Sequence, residues 1–319
     1  MRLNVQHEIQ NQANVHFYDM FNKQNIRRTL ISCGVGLINP GVGGMFAMTF
    51  LTYFFAVVSG LFPPYPKTAL MSSSTLQVGV EEPFKWVIMA QFLGYFGQVV
   101  SYYFVGILGR RTMMLIGASI CCLSNLVLGI IFQAQSVTDV VARGKATVFL
   151  MSFYLFGFNF GIVPMVYLVS GEIPAQNLRA YTAGLSIGVG FVFAWLTAFT
   201  APYFINPADL DWGGRYGMYY APRIRMDKAS SNISRKGFIW FGSTVLAIVF
   251  IFFCVPEVKG RSLEEIEEMF DKGISARGFS TYVCENVKLA KVEAERELIL
   301  EEAKDGRGKA LHVEINHAD

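Results

Sequence analysis

Charge is what this sequence has least of. Of its 319 residues, 16% are Asp, Glu, Lys or Arg, against about 25% in soluble domains. From Arg28 to Pro256 those charges fall in a few short clusters, separated by apolar windows of about 18 residues or more. Histidine is scarce too, and His7, His16, His312 and His317 all lie in the polar termini. An imidazole relay inside an apolar segment is thereby excluded. Cys33, Cys121, Cys122, Cys254 and Cys284 show neither metal-ligand nor paired-disulfide spacing, so they read as small packing residues. No nucleophile–base constellation is present, and the glycine-rich GVGLINPGVGG lies inside an apolar run rather than at a strand-to-helix turn. No enzyme activity, cofactor, metal or nucleic-acid partner is expected. The opening MRLNVQHEIQNQANVHFYDMF is polar and lacks the apolar core of a secretory signal.

What is present is apolar surface: 53% of the residues are hydrophobic, 28 of them Phe. A helix crossing a bilayer needs roughly 20 apolar residues, and six windows meet this, at 29–57, 86–108, 112–133, 147–169, 180–204 and 238–255. The expected fold is an all-α membrane protein with lipid as its surroundings. Arg27 and Arg28 precede the first window, Arg110 and Arg111 join the second to the third, Arg179 joins the fourth to the fifth, and the tail after 256 is rich in Lys and Arg. With six crossings these places share one side, and the positive-inside rule makes it cytoplasmic. Both termini are expected there.

The first window contains Pro40 and five glycines within eleven residues. An interior proline removes a hydrogen bond and crowds the preceding turn. Two readings stay open: a broken helix lining a cavity, or close helix packing through small residues. After the last window, Ser262 and Glu265 fit a capping box, and Leu263, Ile266, Met269 and Phe270 then share one helical face. KLAKVEAERELILEEAKD continues with alternating charges at helical spacing, as a solvated helix does.

Glu172 and Arg179 sit at a turn between two apolar windows. Unpaired charge near the apolar region is costly, so they are expected to pair with each other or with neighbouring loops. The arginines of GRRT at 109–112 are candidate bidentate partners for Glu172, and PEVKGRS at 256–262 adds Glu257 at the same surface. Such clusters suit a gate network, or topological anchoring alone.

NIRRT at 25–29, TYFF at 52–55, GRR at 109–111, GEIPAQNLR at 171–179 and PEVKGRSLEEIEEMF at 256–270 occur in order. In this set the chain resembles the sugar porter family of the major facilitator superfamily, specifically its carboxy-terminal half, and is most similar to fungal permeases of the α-glucoside (maltose) type. The resemblance implies six of twelve transmembrane helices plus a cytoplasmic helical tail. It implies a plasma-membrane protein whose partners are a sugar, the bilayer and the missing amino-terminal half. It also implies proton-coupled transport of a hexose or an α-glucoside such as maltose in the complete protein, with this chain inactive alone. Arg110, Arg111, Glu172, Arg179 and Glu257 would form the cytoplasmic gate. Asn159, Tyr167 and Asn39 would contact substrate, an amide pairing with hydroxyls while an aromatic face covers the ring. The sequence departs from the family at Pro40, where the family has its sugar-binding Gln, at Met45, where many members have Asn, and at Val258, where the family has Thr.

The implied domains are a central-loop end at 1–28, a six-helix bundle at 29–255 and a tail at 256–319. Residues 58–77 and 218–237 fit the family badly, and excising either leaves a join that resembles uninterrupted family sequence. They are either translated unspliced introns or lineage-specific outer loops; in the second case Asn232-Ile233-Ser234 is a glycosylation sequon. A non-transporting membrane protein, degenerate or sensory, is the competing function.

Overall fold

The computed structural model describes residues 16–58, 83–133, 140–205, 239–284 and Arg296. The two insert segments, apart from Val58, lie outside the described residues, as do 1–15 and nearly all of the tail beyond 284. Among the described residues there is helix and no strand. A 3-10 turn, Phe17–Phe21, leads into α1 (Ile26–Gly41) and α2 (Gly44–Val58). There follow α3 (Pro83–Leu108), α4 (Arg110–Gln133) and α5 (Val140–Gly157). A π-helical turn at Phe158–Ile162 joins α5 to α6 (Val163–Glu172). Then, after a second 3-10 turn at Gln176–Leu178, come α7 (Arg179–Ile205), α8 (Ile239–Cys254) and the short α9 (Leu263–Asp271).

The first expected span is not one helix. Pro40 has no N–H to donate, and the chain turns at Val42 and Gly43, the latter at φ +92°, a conformation that favours glycine. The helix is broken here, and its small residues let neighbouring groups approach closely. The Val42 carbonyl, freed from helical pairing, accepts a 2.9 Å bond from the Tyr154 hydroxyl, and the Phe158 ring packs into the space a side chain on Gly44 would need. A second interruption, the π turn, falls in the fourth span just before Pro164. Extra residues inserted in this way recur at functional sites.

Length and composition qualify three described helices to cross a membrane: Arg110–Ile131, Lys145–Glu172 and Gln176–Thr200; Trp240–Cys254 is apolar but shorter. The Lys145–Glu172 helix is the central one, 67% buried against 22% for Gln176–Thr200. Around it, α3 and α4 pack on α5, α8 on α4, and α1 on α6, α7 and α8. The core runs through this contact, with Met113, Leu128, Leu155, Phe158 and Ile162 essentially inaccessible.

Small residues set the closest crossings. A Cβ on Gly36 of α1 would meet the Ser186 backbone of α7, and one on Gly190 would lie 2.8 Å from the Gly36 carbonyl. At the same crossing the Ser186 hydroxyl donates to the Ser32 carbonyl at 2.6 Å and lies 3.2 Å from the Ser170 hydroxyl. Three helices, α1, α6 and α7, are thus tied through serines. In an apolar medium, close backbone approach and interhelical hydrogen bonds replace the hydrophobic effect as the glue.

Candidate functional site

Most of the described charged residues gather at the helix ends around the α3–α4 and α6–α7 turns and the segment after α8, while Lys85, Arg143 and Lys145 lie at the starts of α3 and α5. Gly109, at φ +86°, reverses the chain between α3 and α4, and the first two N–H groups of α4 would be orphaned there. Glu257 meets them: its carboxylate oxygens accept from the Arg110 and Arg111 amides, each at 3.1 Å, and its Oε1 also accepts from the Lys259 amide at 3.1 Å. A carboxylate suits the positive end of a helix. There is no room for a side chain at 109, since a Cβ would lie 2.7 Å from Glu257 Oε2.

Glu257 being engaged by backbone, the Arg110 side chain turns to α6. Its Nε donates to Glu172 Oε2 at 3.1 Å and its Nη2 to Oε1 at 2.8 Å. This is the bidentate pairing that the spacing allowed. Arg179 does not pair with Glu172. It donates from Nε to the Gly171 carbonyl at 2.7 Å, next to the C-terminus of α6, where a cation complements the helix dipole. Arg111 donates to the Phe252 carbonyl of α8 and lies over the Phe252 ring, 5.4 Å from its centre. Of the five candidate gate residues the structure therefore joins Arg110 to Glu172 by side chains. Glu257 lies beneath them as a cap, and Arg111 and Arg179 hold helix ends.

The tail joins the same surface. Arg28, 3% exposed, donates from Nη2 to Asp271 at 2.7 Å and lies 3.8 Å from Glu267. Its guanidinium lies 5.0 Å from the Phe270 ring centre, and that of Arg27 lies 5.6 Å from it. Arg27 also donates to the Ile274 carbonyl at 2.8 Å. Together these contacts fasten α9 to the start of α1. Desolvation pushes the Glu267 carboxyl above its ordinary range; Arg28 opposes this, while Asp271 and Glu264 add to it. Only half of the expected capping box forms. Ser262 Oγ accepts from the Glu265 amide at 3.3 Å, but the Glu265 carboxylate turns to Arg261, 3.7 Å away.

The expected substrate contacts lie on three different elements, Asn159 in the π turn, Tyr167 on α6 and Asn39 on α1. Asn159, in the π turn, is 6% exposed, and its Nδ2 donates to the Leu155 carbonyl at 2.9 Å. Its Oδ1 has no partner among the described residues. Gly94 of α3 faces it so closely that a Cβ there would lie 3.0 Å from Nδ2. Tyr167 projects from α6 at 47% exposure, and Asn39 is half-buried beside Pro40. Among the described residues no cluster of His, Cys, Asp or Glu could hold a metal ion.

The sequence reading did not find the docking of Arg28 on α9 or the Ser32–Ser170–Ser186 contact. A signal for the second was present: Ser32 and Gly36, and again Ser186 and Gly190, are small residues four apart.

Helices of this length, a broken first span and charged turns on one face define a polytopic membrane bundle. The chain belongs to the Sugar (and other) transporter family, which matches residues 16–270, and is an integral membrane protein. It is similar to the general alpha-glucoside permease of Saccharomyces cerevisiae, 25% identical over 303 residues, covering 95% of this chain and 42% of the permease. It is also similar to the facilitated trehalose transporter Tret1 of Apis mellifera ligustica, 27% identical over 254 residues, covering 79% of this chain and 42% of that one. Among solved structures, the proton:xylose symporter XylE bound to 6-bromo-6-deoxy-D-glucose shares the fold, with TM-score 0.53 and 20% identity over 76% of this chain and 42% of the symporter. The chain spans less than half the length of each of these proteins.

Proposed function

We propose that this chain is the carboxy-terminal six-span half of a sugar permease. In the complete protein it moves a hexose or an α-glucoside such as maltose across the plasma membrane, coupled to protons, with both termini cytoplasmic. The observation that carries this is the Arg110–Glu172 pair, which ties the start of α4 to the end of α6 above the Glu257 cap in a chain of the sugar transporter family. An ion pair between helix ends holds one face closed in one conformation and must open in another if two bundles rock about a central site. The second bundle is the missing partner, lying against faces of α3 and α7 that expose Phe92, Tyr95, Phe191 and Trp195. Asn159, in the central helix, is the sugar-contacting amide of this half, with Tyr167 and Asn39 as further contacts. Arg111, Arg179 and Glu257 hold the helix ends on which the gate pair acts.

The test is sugar uptake. The transcript is sequenced upstream of codon 1 and across codons 58–77 and 218–237, and its complete product is expressed in yeast lacking hexose and maltose transporters. Saturable uptake of labelled glucose or maltose, accompanied by proton uptake and reduced by Glu172→Gln, is expected. A product that reaches the plasma membrane and takes up neither sugar overturns the proposal.

A further inference from the structure

Three cations at the charged face have no carboxylate partner among the described residues. Arg111 has its Nη2 on the Phe252 carbonyl, and its Nε is buried without an acceptor. Arg277, in the loop after α9, is exposed and touches only rings, its guanidinium carbon 4.5 Å from the centre of Phe252 and 4.9 Å from that of Phe253. Lys259 donates to the Ile107 carbonyl at the end of α3. The nearby acid, Glu257, is already held by three backbone amides, and Glu172 is held by Arg110. Among the described residues, three positive charges against the one of Glu257 leave this corner with an excess of two.

Two guanidiniums lie within 5.4 Å of the centre of one ring, so this corner gathers positive charge that an anion would complement. The place of the excess says which anion. Phe252 and Phe253 are the last aromatic residues of the apolar helix Trp240–Cys254 and are 43% and 59% exposed. Arg110 and Arg111 begin the span Arg110–Ile131. The corner thus lies where an apolar, lipid-facing surface meets water. A guanidinium fork presents paired donors to phosphate oxygens, and acyl chains would lie along the exposed rings below.

We propose that Arg111 and Arg277, both at the Phe252 ring, together with Lys259 at the end of α3, form a binding site for the phosphate of an anionic phospholipid in the leaflet that meets this face. The site rests on the membrane placement of α4 and α8 and not on transport, so its test uses no sugar. Basic residues at an anionic leaflet each contribute about fivefold in affinity.

The full chain, purified in detergent, is heated with added phosphatidylserine, with phosphatidylcholine, or with inorganic phosphate. The expected result is a rise in unfolding midpoint with phosphatidylserine that neither alternative produces. Arg277→Gln, at an exposed position, weakens half-saturation about fivefold. If Arg277→Gln lowers the lipid-free midpoint, Arg277→Lys replaces it, keeping the charge but not the planar fork, and is expected to bind more weakly than wild type. Equal rises with both lipids, or an unchanged response in the variant used, overturn the proposal. A matching rise with inorganic phosphate assigns the site to a soluble anion and overturns the lipid.

Discussion

Arg110 and Glu172, 62 residues apart in sequence, meet through two parallel hydrogen bonds of 3.1 and 2.8 Å with both side chains about four-fifths buried. Among the described residues the neighbouring charges are engaged elsewhere, Glu257 by amides and Arg179 by a carbonyl. Arg110→Ala or Glu172→Ala should therefore each destabilise the bundle by about 2 kcal/mol, and the double variant by much less than the sum. Chemical unfolding of the four proteins in detergent measures the coupling. Additive losses would show that the two side chains do not depend on each other.

The crossing of α1 and α7 gives a prediction that needs no charge. A Cβ at Gly36 points at the Ser186 backbone, which cannot swing aside as a long side chain can. Gly36→Val should force the helices apart and stretch the Ser186–Ser32 and Ser170–Ser186 contacts, costing about 1–3 kcal/mol, as overpacking does. Gly41→Val, where a Cβ meets nothing within 4 Å, is the control for a change of residue type on the same helix. A thermal midpoint that falls for Gly36→Val no further than for Gly41→Val would contradict the crossing.

Helix positions were legible in the sequence because hydropathy and helix ends are local properties. The windows 112–133 and 180–204 differ by at most two residues at either end from Arg110–Gln133 and Arg179–Ile205. The GRR and E-I-P turns gave the Arg110–Glu172 pair for a similar reason: few charges exist to choose from, and desolvation leaves few places for them. What was not legible depends on which surfaces meet. Pro40 and its glycines announced irregularity but not where the Val42 carbonyl would find the Tyr154 hydroxyl, 112 residues away. Glu265 fitted a box from its spacing, yet Arg261 one turn earlier competes for the same carboxylate. The tail contacts of Arg27 and Arg28 cross nearly the whole chain, beyond what periodicity can report.

The docked tail should respond to pH through Glu267. Its carboxyl is raised by burial, so the docked form holds a proton at pH values where the undocked helix has released one. Docking is then favoured below the ordinary carboxylate range and weakens as pH rises through the raised value, the direction opposite to a salt-bridged carboxylate of depressed pKa. Hydrogen exchange of the α9 amides, followed from acid toward neutral pH, should show loosening in wild type and a flatter profile in Glu267→Gln. Loss of protection toward acid that depends on Glu267 would reverse the sign and refute the assignment.

Asn159 separates a structural role from a substrate role. Its Nδ2 bond to Leu155 is a bond within its own helix, and removing such a bond costs about 1 kcal/mol of stability. Its Oδ1 makes no bond to the described residues, so a sugar hydroxyl donating there would lose its acceptor in Asn159→Ala, raising KM about tenfold for a hydrogen bond of about 1.4 kcal/mol. Asn159→Asp keeps an oxygen at that position but introduces a buried charge. Asn159→Ser is the better second variant, because a hydroxyl retains the helix bond without reaching as far. Uptake kinetics in the complete permease decide between the roles. A raised KM in both variants, with an unchanged thermal midpoint in Asn159→Ser, places the amide on the sugar. A lowered midpoint with KM unchanged in both would leave Asn159 as the residue that pins the π turn against Gly94.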